Sequence, residues 1–133
     1  MADFALEVVT PKGTRFSGQV TSLLFTASTG QTTIMAGHTN YMAAVVIGKA
    51  KIVTEGKVLH AVCGNGFLSV SEGNCNLLAN SFDFADDLDA NKVKADLLEA
   101  EKTLANAKTE SDKIVAKDRI KLANLRLSII DVQ

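Results

Sequence analysis

The chain has 133 residues, 47% of them apolar, with a mean hydropathy of +0.14 and a formal net charge of −1. That is the composition of one or two small folded domains, and it excludes a disordered segment and a nucleic-acid or anionic-membrane binder driven by bulk charge. No apolar run reaches the ~18 residues of a membrane span, and Met1 to Ala5 show neither a basic leader nor a signal-peptide stretch, so the expectation is a mature chain that begins at Met1.

The charge is unevenly spread. Residues 1–86 hold 5 Lys/Arg and 6 Asp/Glu, whereas residues 87–133 hold 9 and 9. This step predicts a domain boundary, with 1–86 as one unit and 87–133 as another.

From Asp3 onward short apolar runs alternate with turn residues at the spacing of a sandwich or barrel. Phe4 to Val9 stops at Thr10-Pro11-Lys12-Gly13, where Pro11 fixes φ. Arg15 to Val20 and Thr21 to Ala27 follow. Beyond the loop Met35 to Tyr41, the runs Tyr41–Ile47, Lys49–Thr54, Lys57–Cys63, Phe67–Ser71 and Asn74–Ala79 form a meander whose joints each contain a glycine suited to φ > 0. The fold class expected is a β sandwich of roughly nine or ten strands followed by an antiparallel two-helix hairpin.

Several groups invite a chemical reading. Gly64-Asn65-Gly66 lacks a third glycine and precedes a strand, so it reads as a turn and not a phosphate loop. His60 and Cys63 are an odd number of positions apart on a strand, which sends them to opposite faces and argues against a nucleophilic pair. Cys63 and Cys75 read as two buried structural thiols of a reducing compartment. With one other histidine in the chain, His38 has no metal cluster to join; it reads either as a loop-capping residue or as a partner contact. Asp83, Asp86, Asp87 and Asp89 read as acids that stabilise a helix N-terminus.

The last third lacks Gly and Pro after residue 87 and is rich in Ala, Lys, Glu and Leu, the composition of surface helices. Val93, Leu97, Ala100, Leu104 and Ala107 form one helical stripe; Ala116, Ile120, Ala123, Leu127 and Ile130 form a second. Thr109 or Ser111 caps the second helix, and Asp112 completes a box with Thr109. Each limb is expected to run about 25 Å. Alanine at half the seam positions makes the hairpin marginal on its own. Val115, Leu122, Leu125 and Ile129 widen the second helix's apolar face, and this extra face is expected to rest on the sandwich.

Leu6-Glu7-Val8-Val9-Thr10-Pro11-x-Gly13, Phe16-Ser17-Gly18-x-Val20, Gly37-His38, Gly66-Phe67-Leu68-Ser69-Val70 and Leu77-Leu78-Ala79-Asn80 resemble, in order and spacing, the ε subunit of bacterial and chloroplast F-type ATP synthase. The resemblance spans essentially the whole chain. It implies a non-catalytic rotor subunit whose sandwich binds the γ subunit and the c-ring, and whose helices leave the hairpin to meet the α/β catalytic head and block ATP hydrolysis. It implies no nucleic-acid partner, membrane association only through the complex, and a place on the cytoplasmic face of a bacterial plasma membrane or the stromal face of a thylakoid.

By the same resemblance Gly37, His38 and Tyr41 are candidates for γ or c-ring contact, and Lys113, Lys117, Arg119, Lys121 and Arg126 for contact with the β subunit. Two departures bear on this. Ala36 and Asn40 stand where relatives carry prolines around the histidine, which leaves the loop without fixed φ values. Members that bind ATP carry Ile/Leu-Asp-x-x-Arg-Ala, and here Leu88-Asp89-Ala90-Asn91-Lys92-Val93 replaces the planar arginine fork with lysine. Asp89 and Lys92 are the remnant of that site, so no cofactor is required and ATP binding is expected to be weak. The competing readings are a nucleotide-sensing module governed by Asp89 and Lys92, and a small hydrolase using His60 or His38.

Overall fold

The computed structural model describes residues 3–37 and 40–130. Ten strands precede the helices: β1 (Phe4–Thr10), β2 (Gly13–Val20), β3 (Ser22–Ala27), β4 (Gly30–Met35), β5 (Tyr41–Val45), β6 (Gly48–Thr54), β7 (Lys57–Cys63), β8 (Gly66–Ser71), β9 (Asn74–Ala79) and β10 (Phe82–Phe84). They hydrogen-bond in the order β10-β7-β6-β3-β5-β8-β9-β1-β2, with β4 beside β3. The ladders are antiparallel except that β1 runs parallel to β9, with Ala5 opposite Asn74 and Val9 opposite Leu78. This arrangement is the expected sandwich, with β4 and β10 added to the strands that apolar runs alone pick out.

Period-two alternation builds the core. Along β1, Phe4, Leu6, Val8 and Thr10 face inward while Glu7 faces solvent. Leu23, Phe25, Ile34, Ile52, Leu68, Leu77 and Phe82 close the interior; each large side chain removed from water contributes about 1.5–3 kcal/mol. The hairpin joints at Glu55-Gly56 and Glu72-Gly73 place both central residues at φ > 0, with Glu55 at 51° and Gly56 at 75°. Such turns match the twist of the flanking strands.

After a 3-10 turn at Ala85–Asp87 come α1 (Ala90–Ala105) and α2 (Glu110–Ile130). Asp89 caps α1, its carboxylate accepting from the Asn91 amide at 2.9 Å. Thr109, and not Ser111, caps α2: its hydroxyl accepts from the Asp112 amide at 3.1 Å. At ~1.5 Å per residue the limbs measure about 24 Å and 31 Å, so α2 is longer than expected. The two seams face each other through fully buried Ala100, Ala116 and Ala123 and through Val93.

The C-terminal half of α2 lies on the outer side of β7. Ile129 packs with Val62 and Ala85, flanked by Leu88, Leu122 and Leu125, in a small cluster separate from the sandwich core. Val115 departs from the expectation that the widened face rests on the sandwich, because it is 60% exposed. Asp83 also departs. It belongs to β10 and not to a helix start, and its carboxylate accepts from Arg126 at 3.0 Å (Nε) and 2.8 Å (Nη2).

Candidate interaction surfaces

The turn before β5 holds Gly37 at φ +81°, exposed to solvent. His38 lies outside the described residues. Tyr41 starts β5 and turns inward, half-buried against the sandwich core, so it does not share a free surface with Gly37. The period-two pattern explains this. Val45 is buried, and Tyr41 and Ala43 share its side of the strand, while Met42 and Ala44 point out.

At the start of α1 the Asp89 carboxylate is engaged by its own helix, and Lys92, one turn on, is exposed. Among the basic residues of α2, Lys113 forms an i,i+3 pair with Glu110 at 3.6 Å, and Lys117, Arg119 and Lys121 are exposed or nearly so on the helix surface. Arg126 is set apart from them. Its side chain is 21% exposed and its fork is committed to Asp83, across the seam between helix and sandwich. The five cations therefore do not form one patch in this conformation.

The histidine and cysteine readings resolve by geometry. His60 shares the outer side of β7 with Val62, whereas Cys63 points into the core and its thiol donates to the Gly64 carbonyl at 3.3 Å. Burial, with a smaller contribution from the Asp83 charge, pushes the Cys63 thiol up to about 12; burial pushes Cys75 up to about 11. Neither thiol supplies a nucleophile near neutral pH. Among the described residues no group of three or more His, Cys, Asp or Glu side chains is placed to hold a metal ion.

One surface escapes a reading of local motifs. The register sets Ala44 opposite Phe67, Phe67 opposite Leu78, and Leu78 opposite Val9, a row of apolar side chains across four strands on the outer face. Phe67 is 42% exposed, Leu78 54% and neighbouring Met42 67%. The rest of that face on β1, β5, β8 and β9 is Ala, Ser and Asn, with Glu7 its one charged residue among those described. Depletion of charge together with exposed aromatic and Met side chains is the signature of a buried interface core and not of a solvated sheet. Alternation along each strand was the available signal; the lateral alignment of the four strands was not.

Comparison with known proteins gives a consistent picture. Residues 3–85 match the model of the ATP synthase, Delta/Epsilon chain, beta-sandwich domain. The ATP synthase epsilon chain of Ruminiclostridium cellulolyticum is 30% identical over 128 residues, covering 96% of each chain. That of Ruminococcus albus is 28% identical over 130 residues, covering 97% of each. A chain in the cryo-EM structure of the Euglena gracilis mitochondrial ATP synthase, OSCP/F1/c-ring, superposes with a TM-score of 0.80 at 17% identity, over 98% of this chain and 82% of that one. One from the central stalk and c-ring of the Tetrahymena thermophila enzyme gives 0.67 at 16% identity, over 95% of each. At that identity the likeness is one of fold.

Proposed function

The chain belongs to the ATP synthase delta/epsilon family, and from that premise we propose that it is the non-catalytic ε subunit of the rotor, joining the γ subunit and c-ring beneath the α/β head. The observation that carries this reading is the nearly charge-free outer face with its row Ala44, Phe67, Leu78 and Val9, a surface suited to being covered by another protein. No helix among the described residues is long and apolar enough to cross a membrane. In this proposal the chain reaches the cytoplasmic face of the membrane through its partners.

The hairpin is the regulatory part of the proposal. Its seam is built on alanine, and among the described residues it is fastened to the sandwich through a small apolar cluster and the Arg126–Asp83 ion pair. Such a unit undocks without unfolding the sandwich, and the exposed Lys117, Arg119 and Lys121 then meet the β subunit of the head and restrain ATP hydrolysis. ATP is not required. With Asp89 occupied as a cap and Lys92 lacking a planar fork, calorimetry on the isolated chain is expected to give no binding tighter than the millimolar range.

The decisive experiment reconstitutes the complex with a chain ending at Asp87. Assembly through the sandwich is expected to persist and ATP hydrolysis to rise several-fold. Hydrolysis and coupling both unchanged would remove the regulatory role while leaving the rotor role intact. Failure of the full-length chain to co-purify with γ would remove the rotor role itself.

A further inference from the structure

Among the described residues, three strands of the sheet have one side without a neighbouring strand: β10, β2 and β4. Free edges template unwanted pairing, and proteins blunt them with short strands, charges, proline or bulges. β10 is three residues long, carries Asp83 and is tied to α2 by Arg126. β2 follows Pro11 and Lys12 and is bulged opposite Val8 and Val9; the Gln19 carbonyl accepts from Thr54, and Arg15 donates to the Phe82 carbonyl. β4 has none of these devices. Its sequence, Gly-Gln-Thr-Thr-Ile-Met, contains no charge and no proline, and its register with β3 runs unbroken from Gly30 to Met35.

The hydrogen-bond parity shows which groups are open. The Thr26 carbonyl accepts from the Val46 amide at 3.0 Å and is therefore turned away from β4. In an antiparallel pair this parity leaves Leu23, Phe25 and Ala27 to bond Ile34, Thr32 and Gly30. The amides and carbonyls of Gln31, Thr33 and Met35 then point to the open side, where none of the described residues bonds them. Met35 is 56% exposed beside them, and Ile34 is fully buried on the inner side.

We propose that β4 is an acceptor edge for strand addition, completed by an extended, uncharged segment of a neighbouring subunit with an apolar residue at every second position. Main-chain bonding to Gln31, Thr33 and Met35 would hold the segment, and its inward side chains would extend the core past Ile34. A strand of this length covers far less than the ~1,200 Å² of a stable interface, so it does not hold a free partner or a second copy by itself. The occupant is a segment already kept at high local concentration by another contact. This rests on the assembly reading above, in which the apolar sheet face supplies that contact.

Amide hydrogen exchange of peptides spanning 30–36, in the free chain and in the reconstituted stalk complex, tests the proposal. The amides of Gln31, Thr33 and Met35 are expected to exchange rapidly in the free chain and at least ~100-fold more slowly in the complex. Thr33→Pro removes one outward amide without breaking a β3–β4 bond, and should abolish the protection of Gln31 and Met35 while the complex still assembles. Thr33→Lys serves the same end if the proline variant does not fold. A complex that assembles with these amides as fast as in the free chain overturns the edge proposal and leaves the rotor reading standing. Protection that appears in the free chain and rises with its concentration identifies a second copy as occupant, which also overturns it. No assembly at all overturns both.

Discussion

Gly66 shows how a single residue is fixed by a contact that no local motif announces. It opens β8 opposite Ala79, and an added Cβ would collide with the Leu78 carbonyl and lie 2.7 Å from the Ala79 Cα. Gly66→Ala is therefore expected to cost ~2–3 kcal/mol in urea unfolding, the range of an overpacked site with rigid backbone on the far side. Ser81 is the opposite case. Its buried hydroxyl has no hydrogen-bond partner among the described residues, so Ser81→Ala should leave the midpoint unchanged or raise it. Cys63 and Cys75 should resist thiol reagents at pH 8 until the chain is unfolded. Their folded values lie above the ordinary 9.0, so the native state holds protons that the unfolded chain releases. Stability from this source is whole below pH 9 and falls as pH rises toward 11 and 12, which alkaline denaturation measures. The burial of these thiols was legible from composition; the reason for glycine at 66 was not, because Leu78 approaches from another strand.

Among the elements, α2 carries the tension between two partners. Its seam with α1 was legible in the spacing of Ala116, Ile120, Ala123 and Leu127, since helical period alone decides that face. Its bond to the sandwich was not, because Arg126 and Asp83 are 43 positions apart and each has a plausible local role. Arg126→Ala is expected to loosen the docked hairpin by ~1–3 kcal/mol, the worth of a charge-assisted hydrogen-bonded pair that is only partly buried. Exchange of α2 amides should accelerate while those of β1, β8 and β9 stay unchanged; equal acceleration everywhere would mean that hairpin and sandwich are one cooperative unit. β4 and β10 escaped the apolar-run reading for different reasons. One presents mostly Gln and Thr, and the other is too short to show a period.

At the scale of the whole molecule, the charge step between residues 86 and 87 falls inside the 3-10 turn at Ala85–Asp87, because a sandwich buries half its strand residues while a thin helical hairpin leaves most of its surface in water. The exact cut nevertheless matters. A chain ending at Ser81 loses Phe82, which is 1% exposed, and uncovers the edge of β7 that β10 pairs with. It should melt well below a chain ending at Asp87, by ~3–5 kcal/mol if the loss matches that of a buried phenylalanine. A further consequence follows from the parallel pairing of β1 with β9. Ala5 meets Asn74 across about 70 intervening positions, so that ladder closes a long loop whose entropy is lost before its contacts form. During synthesis the first strand has its hairpin partner β2 early, but must wait for nearly the entire sandwich to leave the ribosome before its other side is covered. Until then the apolar side chains of β1 are exposed, and the nascent chain is at its most vulnerable to chaperones, proteases and mispairing.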